Sequence, residues 1–147
     1  MIPVSVTALV AVAVVAPASG APEKPIYPPT IGFYGTQHRV VHSRLGRFDS
    51  GERSGPPERP YQTWTAQWLR CAPAGARCRA VTAPIPIRPV PVRSPGPASG
   101  AFSIVAPKRV VRPGDRGQSL RLRVRVVRWD GVEVVGVSSA LRIPRKA

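Results

Sequence analysis

The clearest pattern in the chain is Ser119-Leu120-Arg121-Leu122-Arg123-Val124-Arg125-Val126, in which apolar and charged residues alternate without a break. Strict period-two alternation predicts a β-strand with one buried and one wet face. It sends Leu120, Leu122 and Val124 to the core as anchors and turns Arg121, Arg123 and Arg125 outward. Trp129-Asp130-Gly131 follows, and Asp-Gly between two apolar runs predicts a hairpin, with Val132 to Val137 as the last strand. Upstream, Tyr61 to Cys71 reads as another strand, on which Trp64, Ala66 and Trp68 share a face. Trp64 and Trp68 are therefore the second set of core anchors. After Ala72-Pro73-Ala74-Gly75-Ala76-Arg77 the chain reverses into Cys78-Arg79-Ala80-Val81. Opposed residues of an antiparallel pair lie about 4.5–5.5 Å apart at Cα, so Cys71 and Cys78 are placed to form a disulfide across this hairpin.

Weaker strand patterns cover Tyr27 to Ile31, where the prolines suit an edge, His38 to Leu45, and Phe102 to Val105. Residues 84–99 differ: Pro84, Pro86, Pro89, Pro91, Pro95 and Pro97 exclude a central strand and predict an extended, polyproline-like loop. Beyond the first twenty residues no run has helical periodicity. About seven short strands separated by turn residues predict an all-β, antiparallel two-sheet sandwich. The expected organisation is a signal peptide over 1–20, a Pro-rich lead-in over 21–29, the sandwich over 30–141 and a basic tail over 142–147.

Composition agrees with a β protein: 19 prolines and 13 glycines in 147 residues disfavour helices. Residues 1–22 carry no charge, and the apolar run Val4 to Ala16 leads into small residues, which predicts a secretory signal cut after Ala18 or Gly20. No Lys or Arg precedes that run, unlike the usual signal. A cysteine pair placed to bond across a hairpin fits the oxidising compartment that export implies. The net charge of +15 points to anionic partners. It is carried almost wholly by Arg in a chain rich in Ala, Gly, Pro and Val, so GC-rich coding explains part of it.

The row Arg121, Arg123 and Arg125 is the candidate anion-binding feature, because guanidinium groups repeating every ~6.6–6.8 Å can hold phosphate or carboxylate by paired hydrogen bonds. That face has no interleaved aromatics for stacking bases, so nucleic acid is not the expected partner. His38 and His42 form an H-x3-H pair, but the six-residue gap between the cysteines is wider than a zinc site uses, and no metal or other cofactor is expected. No nucleophile elbow, zinc helix or phosphate loop is present, and the acids form no evident acid/base pair, so no catalytic residue is assigned. Asp115 is expected to cap the turn into the long strand.

Trp68-Leu69-Arg70-Cys71, Gly75 and Cys78, followed by Phe102-Ser103-Ile104 and Asp115-x-Gly117-x-x-Leu120-Arg121-x-Arg123-Val124, resemble the immunoglobulin-like repeats of secreted and surface proteins from high-GC actinobacteria. Gly46-Arg47-Phe48 resembles their Gly-x-Trp, with Phe48 in place of Trp. The similarity spans roughly Pro28 to Ala140. It departs in the long Pro-rich segment 84–97, in the extra residues Pro107 to Pro113, and in the presence of one unit rather than a tandem array. The resemblance implies an immunoglobulin-like β-sandwich pinned by a disulfide outside the cytoplasm, and no shared active site. The expected function is an exported, non-catalytic module at the cell envelope or beyond it, without a transmembrane anchor once the signal is removed. Its partner is expected to be an anionic envelope polymer or another surface protein. The alternative is a basic intracellular nucleic-acid-binding protein.

Overall fold

A computed structural model describes residues 23–48, 61–91, 102–128 and 130–146, and the expected signal segment and residues 92–101 lie outside them. The chain folds as an antiparallel all-β sandwich. Its strands are β1 Thr30–Phe33, β2 Val40–Arg44, β3 Tyr61–Cys71, β4 Arg79–Ala80, β5 Ile85–Pro86 and β6 Pro89–Pro91, then β7 Phe102–Ile104, β8 Arg109–Val110, β9 Ser119–Arg128, β10 Glu133–Val137 and β11 Leu141–Arg142. A 3-10 turn, Pro113–Asp115, leads into β9. The larger sheet runs β10-β9-β3-β4, with β5 also on β3 and β11 also on β9; the smaller runs β1-β2-β8, and β6 pairs with β7.

The long pair β3–β9 is the spine. Its register sets Trp64 opposite Val126, Ala66 opposite Val124, Trp68 opposite Leu122 and Arg70 opposite Leu120. Opposed residues share a face, so one inward surface carries both tryptophans and the aliphatic series. Leu120, Leu122, Val124 and Val126 are fully buried and Trp68 nearly so. Trp64 is half-buried and meets the edge of Phe48 at 5.1 Å between ring centroids. Val41, with Ile31 and Phe33 packed around it, brings the smaller sheet to the same core.

Three expectations change. The Pro-rich segment is not wholly a loop: β5 joins β3 in register, Thr65 opposite Pro86, and the Ile87 N–H donates to the Trp64 carbonyl at 2.9 Å. Alternation along β5 turns the Pro86 nitrogen away from β3, so its missing N–H loses no ladder bond. The basic tail begins inside the sheet, because β11 pairs with the start of β9 and Ile143 is fully buried. The count of about seven strands is low because β5, β6, β8 and β11 are two- or three-residue edge pieces, too short to show a period.

The lead-in is also part of the fold. Glu23 adds to β10, donating its N–H to the Glu133 carbonyl at 3.1 Å and accepting from the Val135 N–H at 3.0 Å. Pro29 is fully buried, and Gly136 leaves room for it: a Cβ there would stand 2.8 Å from both Pro25 Cγ and Pro29 Cδ.

Candidate binding surface

The outer face of the larger sheet carries the arginine row, as the alternation of β9 requires. Thr65, Arg125 and Val135 lie abreast, then Gln67, Arg123 and Val137, then Leu69 and Arg121. Thr65, Gln67, Arg123, Arg125 and Val135, with Pro84 and Glu133, enclose a shallow groove of about 310 Å3. The three guanidiniums do different things. Arg121 is half-buried, and its Nε and Nη1 donate to the carbonyls of Gly75 at 3.1 Å and Ser138 at 2.9 Å. It thus staples the disulfide loop to the sheet. Arg123 is exposed and hydrogen-bonded to Gln67. Arg125 is exposed and pairs with Glu133 at 2.7 Å. That hydrogen bond and charge raise the pKa of Arg125 and hold the Glu133 carboxyl below its ordinary value.

Two further arginines, Arg39 and Arg128, stand apart from the row. Arg39 precedes β2 in the smaller sheet. Arg128 ends β9 and pairs with Asp130 at 2.6 Å and Glu23 at 3.2 Å.

At the opposite end of β9 the disulfide joins Cys71 and Cys78, with the Cα atoms 4.0 Å apart. The loop it closes is tied down by Ala72 N–H to Ala76 carbonyl (2.7 Å), and by Ser119 Oγ to Pro73 carbonyl (2.8 Å). Gly75 has φ +86°, and a Cβ there would lie 2.7 Å from Ala140 Cβ, so the site demands glycine on both counts.

On the inner face at this end of β3 is a buried ionic cluster. Arg70 continues the Trp64–Ala66–Trp68 face by the two-residue period, so its side chain enters the sandwich rather than leaving it. Arg109 stands opposite the buried Val41 on the smaller sheet and also points in. Both converge on Asp115, which is fully buried. Its Oδ1 accepts from Arg70 Nε (3.0 Å) and Nη2 (2.8 Å) and from Arg109 Nη2 (3.0 Å), while Oδ2 accepts from Arg109 Nε (3.0 Å) and the Arg112 N–H (2.9 Å). Burial would raise the carboxyl's pKa, but the hydrogen bonds from Arg109, Arg112 and Arg70 outweigh it and the value is lowered. Asp115 therefore does more than cap a turn: it locks the two sheets together through their guanidiniums. No sequence spacing signals this, since Arg70 and Asp115 are 45 residues apart.

Among the described residues no three His, Cys, Asp or Glu side chains converge as metal ligands, and no helix is long and apolar enough to cross a membrane. His38 and His42 pack instead against Phe33 and Tyr34, with centroids 4.8 and 4.2 Å apart. Comparison with family models, curated proteins and solved structures finds no match to this chain.

Proposed function

We propose that this chain is an exported, non-catalytic, immunoglobulin-like binding module that acts at the cell envelope or outside the cell on an anionic polymer. The observation that carries the binding half is the surplus of exposed arginines on a chain of net charge +15; Arg123 and Arg125, beside an open groove, are each engaged only by a surface partner. Surface pairs of this kind are weak, about 0–1 kcal/mol, so a phosphate or carboxylate can displace Gln67 or Glu133 at little cost. The Cys71–Cys78 bond and the apolar run before the Pro-rich lead-in support the export half.

The test is sedimentation of the purified protein with acidic cell-wall polymer over a salt series. Binding that weakens steeply with salt supports the reading, and no binding at low salt removes it. An intracellular nucleic-acid-binding protein is the second reading, favoured by the charge of +15. It requires recovery of the protein from the host cytoplasm with both thiols free.

A further inference from the structure

The charges of the described residues are sorted by end. Every described carboxylate except Asp115 lies at the Arg128 end: Glu23 and Asp130 on Arg128, and Glu133 on Arg125. β9 has ten residues, so the disulfide end is about 30 Å away at ~3.4 Å per residue. Screening over about 8 Å at physiological salt makes the two ends electrostatically independent.

At the disulfide end the one described carboxylate is Asp115, buried and already neutralised by Arg70 and Arg109. Around it the surface presents Arg77, Arg79, Arg142 and Arg145 from the larger sheet and its loops, and Arg39 and Arg112 from the side of the smaller sheet. The placement follows from register and contacts. Arg79 is the cross-strand partner of Arg70, and Arg142 the partner of Ser119, which also faces Cys71. Arg145 covers Gly117, Arg112 donates its backbone N–H to Asp115, and the Arg39 carbonyl accepts from the Val111 N–H at 2.8 Å. All six side chains are exposed. None of the six guanidiniums bonds or ion-pairs to another described side chain, in contrast to Arg123 and Arg125. The surface is also preorganised. The disulfide and Arg121 fix the loop that carries Arg77, and that loop holds Arg77 at φ +55°, a left-handed conformation that Arg adopts only under constraint.

Resting on the proposed function, we infer that the disulfide end of the sandwich, not the β9 row, is the primary docking surface, and that its ligand is a base-free linear phosphodiester polymer. Guanidinium is the side chain best matched to phosphate oxygens, and unpaired guanidiniums spread over one end suit a flexible chain of fixed charges. Nucleic acid is disfavoured because the exposed aromatic side chains among the described residues are two, Tyr27 and Tyr34, and the Tyr34 ring already packs, tilted, against His42.

The experiment measures binding of the full chain to poly(glycerol phosphate) across a salt series, with poly-glutamate and a single-stranded oligonucleotide alongside. The variant R77S/R79S/R142S/R145S is expected to lose about 30-fold or more in affinity and about 3 in the slope of log K against log salt. R39S/R112S, which leaves the loop untouched, should lose about half that slope. R123S/R125S should change affinity less than about 3-fold. Loss confined to R123S/R125S overturns the inference and leaves the proposed function standing. Equal or tighter binding of poly-glutamate or the oligonucleotide overturns the ligand class. Binding to none of the three, by a protein whose melting and disulfide are intact, removes both proposals.

Discussion

The two ends of β9 use the same chemistry to opposite purpose. At one end Arg70, Arg109 and Asp115 are withdrawn from water, with the carboxylate fully buried. At the other, Arg125 and Glu133 meet on the surface with their side chains 52% and 40% exposed. The pairs have comparable distances, so geometry does not separate them. Water does. A buried charge that loses its partner keeps its desolvation cost, whereas an exposed one is resolvated. The buried cluster is therefore structural and the exposed pairs are replaceable.

The largest effect should come from breaking the buried side. Asp115→Asn leaves Arg70 and Arg109 facing one another without a counter-charge and is expected to cost about 3–5 kcal/mol in urea unfolding. The pH dependence follows from the lowered pKa of Asp115. Its folded value lies below the ordinary 3.8, so its contribution is complete above that value and is lost as pH falls through the folded pKa. The wild type should lose stability in that acid window, and the Asn variant should lose correspondingly less there. Next comes the covalent tie at the same end. Replacing Cys71 and Cys78 by Ala should cost about 2.5 kcal/mol by chain entropy for so short a loop. Arg121 should keep the loop partly in place through the Gly75 carbonyl. The smallest effect sharpens the contrast from the exposed side: Glu133→Gln should cost less than about 0.5 kcal/mol, a difference that added salt erases.

What could be read from the chain before folding depended on pattern length. Leu120 to Val126 and Trp64 to Trp68 hold their period for several residues, and both faces differ in polarity, so strand, register sense and core were legible. Cys71 and Cys78 were legible because their pairing is local. Ile143 was not, since two strand residues among arginines and prolines carry no period. Arg70 is the more instructive case. Period two placed it on the Trp68 face, yet its charge suggested the surface, and what permits it inside is a carboxylate 45 residues away. The arginine row was legible as a face but not as a set of commitments. Whether a guanidinium is spent on a carbonyl, as Arg121 is, depends on the loop folded over it.

The strap formed by the lead-in has a consequence for the company the molecule keeps. Edge strands invite a second copy to add on, and β10, with Val135 and the exposed Val137, is a plain target for such growth. Glu23 occupies part of that edge, and Pro25 and Pro29 lie against Gly136 beside it. The segment ahead of β1 thus covers part of the edge to which a second copy would add. A clip that removed it would leave the β10 edge open to strand addition.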